Sequence, residues 1–125
     1  MSVRFTIDHD KRHVEARAEG ETVLEEFEAF LDAVVVQGAL PYRKLVDTRR
    51  AIGSLSDNDI MMLGARMSAY TASLGRLGAI AFVVAAPSPN NIPTRVVNLA
   101  RADRPARVFQ SIDKARQWLA EQPQT

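Results

Sequence analysis

The sequence predicts an α/β fold of order ββαβαβαβα: a mainly parallel five-stranded sheet with an antiparallel N-terminal hairpin strand and about four helices. Three observations predict it. Two N-terminal runs alternate apolar and polar residues across a short polar link. Segments of helical period then alternate with short apolar runs. One of those runs, Ala79 to Ala86, has no polar residue in eight positions.

Val3, Phe5 and Ile7 alternate with Arg4, Thr6 and Asp8, and Val14, Ala16 and Ala18 alternate with Glu15 and Arg17. Period two over each run means a strand with one wet face. The link from His9 to Arg12 joins the two as a hairpin. Thr22-Val-Leu-Glu25 then reads as a capping box, and Leu24, Phe27, Leu31, Val34 and Val35 follow at helical spacing. Gly38 stops this helix and Pro41 keeps the chain from continuing it.

Tyr42 to Asp47 reads as the next strand. A second helix starts near Ser56, with Asp57 and Asp59 in its first turn. Its apolar stripe is Ile60, Leu63, Met67, Tyr70 or Thr71, and Leu74. The apolar run between Gly78 and Pro87 reads as a strand dry on both faces. If the helices lie mostly on one side, Ala81, Val83 and Ala85 need another cover, either a helix of the same chain or a second subunit. The second option motivates a homodimer. A loop, Pro87-Ser-Pro-Asn-Asn91, leads to a short helix over Ile92 to Ala102, with Asn91 as its cap and Pro93 in its first turn. Arg107 to Gln110 is the last strand. Ser111 caps a final helix carrying Ile112, Ala115, Trp118 and Leu119.

At 125 residues the chain fits one domain over residues 1–125. Apolar residues are 46% and charged residues 25%, as in a globular protein. No apolar run approaches the roughly 20 residues of a membrane helix, so no integral membrane segment is expected. The N-terminus lacks the apolar core of a signal peptide, which points to a cytoplasmic location. Cysteine is absent, which removes thiolate metal sites and cysteine nucleophiles. The net charge of +1 argues against nucleic acid as a partner. Its distribution is uneven: residues 1–42 carry −5 and residues 43–125 carry +6. Arg95, Arg101, Arg104 and Arg107 cluster in the basic part, readable as an anion or acidic-partner patch or as a solvated helix face.

No catalytic set emerges. The histidines, His9 and His13, both sit in or beside the first hairpin turn, and no Gly-x-Ser-x-Gly elbow exists. Neither nucleotide-binding glycine fingerprint occurs. Two histidines make a poor zinc site. Asp47, Asp57 and Asp59 have the oxygen chemistry of a Mg²⁺ site, but fit better as helix-dipole and loop-amide partners. No metal, cofactor or catalytic residue is therefore assigned.

The most informative stretch runs from Leu45 to Asp57. It carries a strand into a helix start, where free amides and the dipole attract anions. Arg49 and Arg50 add positive charge there, and Ser54 and Ser56 stand at the mouth. Asp47, Arg49, Arg50, Ser54 and Ser56 are accordingly the candidate interaction or anion-binding residues. Ser56 also reads simply as an N-cap answered by Asp59 three residues later.

The Lys44-Leu-Val-Asp47 strand, the serine-bearing turn, the helix from Ser56, the strand Ala79–Ala85 and the ending Arg107-Val-Phe-Gln-Ser-Ile-Asp-Lys-Ala-Arg-Gln-Trp-Leu119 follow one another over nearly the whole chain. In this order they resemble the SpoIIAA-like, or STAS/SEC14-type, single-domain bacterial proteins. The resemblance implies a βα superhelical fold. For relatives of the anti-sigma-factor antagonists it implies a non-enzymatic regulatory domain that binds another protein. Their switch is a phosphorylated serine at the start of the helix after the central strand, which falls here at Ser54 or Ser56. The antagonist pattern is Asp-Ser-Ser/Thr-Gly-Leu, where this chain reads Gly53-Ser-Leu-Ser-Asp57. The SEC14-like side implies an apolar slot, for which the composition shows no apolar surplus.

Two functions follow as expectations. The first is a regulatory or protein-interaction domain with a protein partner. The second is a small anionic or lipid ligand-binding protein, or a weak enzyme. It would use the cleft at the carboxyl ends of the strands, with Ser88, Asn90 and Asn91 beside Asp47, Arg49 and Arg50.

Overall fold

A computed structural model describes residues 2–21, 23–52, 55–74, 77–86, 92–100 and 104–123. Its elements are β1 (Ser2–Asp8), β2 (His13–Glu21), α1 (Leu24–Val36), β3 (Arg43–Ile52), α2 (Asp57–Leu74), β4 (Ile80–Val83), α3 (Ile92–Ala100), β5 (Ala106–Phe109) and α4 (Ile112–Glu121). The five strands lie in chain order, β1 to β5. β1 and β2 pair antiparallel, from Ser2 opposite Glu19 to Asp8 opposite His13. All later pairs are parallel. The ββαβαβαβα order and mixed sheet are those expected.

Alternation along the strands sorts side chains onto two faces. Val14 and Ala16 of β2, Val46 of β3, and Ile80 and Phe82 of β4 meet Phe30 and Val34 of α1, Val97 of α3, and Met67 and Tyr70 of α2. Leu45, Ala81 and Val83 emerge on the opposite face and meet Ala115 and Leu119 of α4. The second cover for β4 is therefore a helix of the same chain. This corrects the motive for a homodimer, because Ala81 and Val83 are fully buried without a second copy and Ala85 is exposed. α4 is further tied to β2 by Arg116, which donates to both oxygens of Glu15 at 2.6 and 3.2 Å.

The caps follow their chemistry. α1 ends in a Schellman motif: the Ala39 amide donates to Val34 O at 2.9 Å and the Gly38 amide to Val35 O at 3.0 Å. Gly38 has φ +71°, which its missing Cβ permits. Ser111 accepts from the Lys114 amide at 3.3 Å and starts α4. α1 differs from expectation at its start. Its cap position is Val23, with no side-chain bond, and Thr22 lies outside the described residues. Its deepest side chains are Phe30 and Val34, while Phe27 and Leu31 are only half-buried.

β3 also differs. It runs to Ile52 rather than stopping at Asp47. Pairing with β4 ends at Asp47 opposite Val83, but pairing with β2 continues through Arg50, Ala51 and Ile52 opposite Glu19, Gly20 and Glu21. Between Arg17–Asp47 and Glu19–Arg50, β2 advances two residues and β3 three. The extra residue is a bulge on β3, and bulges re-aim neighbouring side chains.

Gly78, just before β4, is needed for space. A Cβ there would stand 2.1 Å from Tyr42 O and 2.4 Å from Pro41 O. The close approach lets the Gly78 amide donate to Leu40 O at 2.9 Å, locking the start of β4 to the segment between α1 and β3.

Candidate interaction site and the cavity beside it

The bulge shapes the carboxyl end of β3. Arg49 folds back on Asp47, its Nε donating to Oδ1 at 3.0 Å and a terminal nitrogen to Oδ2 at 2.8 Å. The Arg49 amide also donates to Oδ1 at 3.0 Å. These bonds hold the Asp47 carboxyl below its ordinary value of 3.8, against the partial burial that pushes it up. Asp47 raises the Arg49 pKa in return. Thr48 donates to Val83 O at 2.9 Å and seals the point where β3 parts from β4.

Beyond the strand, α2 opens with a reciprocal capping box. Ser56 Oγ accepts from the Asp59 amide at 3.1 Å, and the Ser56 amide donates to Asp59 Oδ2 at 3.0 Å. Arg95 of α3 reaches Asp57 at 2.7 Å, joining two helices at this rim. Three large apolar side chains are exposed on these two elements: Ile52 at the end of β3 at 62%, and Met61 and Met62 in the second turn of α2 at 68% and 47%.

The sequence-predicted residues divide accordingly. Asp47 and Arg49 form one bonded unit, with Asp47 nearly buried. Arg50 is an exposed strand residue opposite Glu19. Ser56 is exposed with its hydroxyl engaged in the cap. Ser54, Ser88, Asn90 and Asn91 lie outside the described residues. Asp47, Asp57 and Asp59 each have their own partner, and among the described residues no cluster of three His, Asp or Glu side chains is placed to hold a metal. The arginine cluster disperses: Arg95 pairs with Asp57, Arg107 lies over the Phe109 ring at 5.1 Å, and Arg104 is buried, while Arg101 is outside the described residues. The three described arginines thus form neither one patch nor one solvated face. His9 is hydrogen-bonded to Tyr42 Oη at 2.8 Å, and His13 lies 3.5 Å from Glu15.

Sequence reasoning missed a cavity of about 500 Å³ between the helical layer and the sheet. Phe27, Leu31, Leu63, Met67, Phe82 and Val96 are among its apolar walls. At the carboxyl end of the sheet it reaches Ile52, Leu55 and Ala86. At the amino end it reaches Lys44 and Arg104, which are 2% and 6% exposed. Lys44 Nζ donates to the carbonyls of Leu40 and Tyr42, the latter at 2.7 Å. Arg104 donates to Gly78 O at 3.2 Å and approaches Met67 Sδ at 3.6 Å. Burial pushes the Lys44 pKa well below its ordinary value, and the positive charge of Arg104 adds to the effect. The available signal was a lysine directly before the apolar pair Leu45 and Val46.

A clamp holds the helices bordering this space. Arg66 of α2 reaches Glu28 and Asp32 of α1 at 2.8 and 2.7 Å, and Tyr70 Oη donates to Asp32 at 2.8 Å. No helix among the described residues is long and apolar enough to cross a membrane.

Neither a family model nor a curated protein matches the chain. Among solved structures it is similar to that of the anti-sigma factor antagonist SpoIIAA in its unphosphorylated form, with a TM-score of 0.55 and 18% identity over 96% of this chain and 99% of that one. Element order, mixed sheet and this nearly end-to-end match agree with the resemblance read from the sequence: the chain has the SpoIIAA-like fold.

Proposed function

We propose that the chain is a regulatory module that binds another protein through the corner between the end of β3 and the first turns of α2. The carrying observation is the exposure of Ile52 at the end of β3 and of the sequential pair Met61 and Met62 in the second turn of α2. Exposed apolar side chains grouped at a surface commonly mark a contact site. Methionines suit one because their unbranched chains adapt to a partner's shape. The bonded Asp47–Arg49 pair and the exposed Arg50 give this ledge fixed polar features, which favour selective binding. The fold, shared with an anti-sigma factor antagonist, supports the same reading.

Ser56 is the proposed control point, with Ser54 as its neighbour in sequence. A phosphate on Ser56 would carry negative charge next to the Asp59 carboxylate that now accepts from the Ser56 amide. Like-charge repulsion would open the cap and loosen the first turn of α2.

Photo-crosslinking in lysate of the native host tests the docking reading. A photoreactive residue at position 61 is compared with one at Gln117, on the exposed side of α4. The expected result is one discrete protein adduct from position 61 alone, competed by unlabelled wild type but not by Ile52→Glu. Equal adducts from both positions, or competition by Ile52→Glu as strong as by wild type, overturn it.

A further inference from the structure

We propose that the open edge of β1 pairs antiparallel with the same edge of a second copy of this chain, joining two five-stranded sheets into one, with Thr6 opposite the partner's Thr6. The contact is at the sheet edge, not at the face that α4 already covers. β2 stands between this edge and β3, so self-pairing here and docking at the ledge can fail independently.

Among the described residues, β1 has a strand on one side only, β2. In an antiparallel pair, alternate residues of the outer strand turn their amides and carbonyls away from the neighbouring strand. Proteins blunt such edges with short strands, proline, lysine or bulges. The other edge, β5, is four residues long and follows directly on Pro105. β1 is seven residues long, holds neither proline nor lysine, and pairs with β2 without a register shift. It is a regular strand left open on its outer side.

Charge names the occupant. Val3, Phe5 and Ile7 turn toward α1, where the Phe5 and Phe30 ring centroids are 5.2 Å apart. Arg4, Thr6 and Asp8 turn the other way and are exposed. Arg4 faces Arg17 across the hairpin, an unfavourable like-charge pair, and Arg17 reaches Glu19 at 3.7 Å. Asp8 faces His13, whose Nε2 lies 3.5 Å from Glu15. Asp8 accepts from the Lys11 amide through Oδ1. Neither Arg4 nor Asp8 forms an ion pair among the described residues. The polar face of β1 thus carries an unanswered cation and, four residues on, an unanswered anion. Antiparallel self-pairing about Thr6 sets Arg4 opposite the partner's Asp8, twice in one interface. The same register sets Phe5, 38% exposed, opposite the partner's Ile7. A two-fold axis perpendicular to the sheet keeps both α1 helices on one side, so polar meets polar and apolar meets apolar. Pairing about Phe5 instead would set Arg4 opposite Thr6 and Asp8 opposite Ser2, leaving both charges unanswered.

Sedimentation equilibrium of the full chain, from micromolar to submillimolar concentration, tests the proposal. Wild type is expected to form a dimer and nothing larger. Arg4→Asp and Asp8→Arg are each expected to weaken the dimer at least tenfold, because each sets like charges opposite one another at two places. The double variant exchanges the charges and is expected to return to within about threefold of wild type. Thr6→Cys gives a second reading. The chain has no cysteine, and residues opposite one another on antiparallel strands stand about 4.5 to 5.5 Å apart at Cα, within disulfide reach. Mild oxidation is expected to link two copies of Thr6→Cys but not of Gln117→Cys, on the exposed side of α4. A monomer at every concentration overturns the proposal and leaves the edge to a strand of another protein. So does a dimer that both charge reversals leave intact, or a double variant no better than the single ones. Equal cross-linking at the two cysteine positions overturns it as well. If a charge variant fails to fold, the cysteine comparison decides.

Discussion

Arg49 grips Asp47 through both carboxylate oxygens from two residues farther along the same strand, across a β-bulge. The acid is nearly buried and the arginine half-exposed, so the pair presents a guanidinium face to solvent with its carboxylate behind it. Asp47 has its pKa lowered on folding. Its contribution to stability is therefore present above the unfolded value of 3.8 and is lost as pH falls through the lower folded value. Asp47→Asn is expected to cost about 1 kcal/mol at neutral pH and to flatten the acid limb of the stability curve. Urea denaturation between pH 2 and pH 7 checks both.

Lys44 carries the opposite sign. Its folded pKa lies below the ordinary value of 10.5, so the unfolded chain binds more protons between the two values and stability rises with pH across that window. Lys44→Met removes this dependence. It is expected to raise the melting temperature at pH 7 by about 4 °C, which corresponds to ~1 kcal/mol in a domain of this size. The Leu40 carbonyl keeps the Gly78 amide as partner in the variant. Thermal melts at pH 7 and pH 10 measure the change, with the gap between wild type and variant narrowing at the higher pH.

Ser56→Ala removes one half of the capping box and is expected to destabilise the protein by about 1 kcal/mol. Ser56→Thr retains a capping hydroxyl and restores most of the loss. Chemical denaturation of the three proteins distinguishes a cap from an unused surface serine.

Gly78→Ala places a methyl group inside the contact distance of two backbone carbonyls. Backbone cannot yield as a side-chain tip does, so a loss of about 3 kcal/mol is expected. Equal stability of variant and wild type in denaturant would mean that the β4 start can move away from Tyr42.

Much of the fold was legible because local chemistry and tertiary contacts agree. The alternation in β1 and β2, the Gly38 stop, the Ser111 cap and the apolar run at β4 each have one local cause and one matching structural outcome. The end of β3 was not legible because its continuation depends on the length of β2 and on a bulge. Arg49 and Arg50 carry the letters of a loop while occupying a strand. The cavity escaped for a different reason. Phe27, Leu31 and Leu63 are the same residues whether helices close over a sheet or stop short of it. Only the three-dimensional gap separates the cases. Arg104 sits in an arginine-rich stretch that looks solvated, and its burial arises from the approach of Gly78 and Met67. At the candidate site, the Ser56–Asp59 cap was readable from spacing. The Asp47–Arg49 grip was not, since it needs the bulge.

Among the described residues, one face of the sheet is covered by α4, a ten-residue helix that follows every strand in the chain. During synthesis, Leu45, Ala81 and Val83 are all made before the segment that shields them. A nascent chain therefore displays a sticky sheet surface until Leu119 clears the ribosome. Shortening the chain before Ile112 would make that transient hazard permanent, and aggregation would follow from a missing lid on the core.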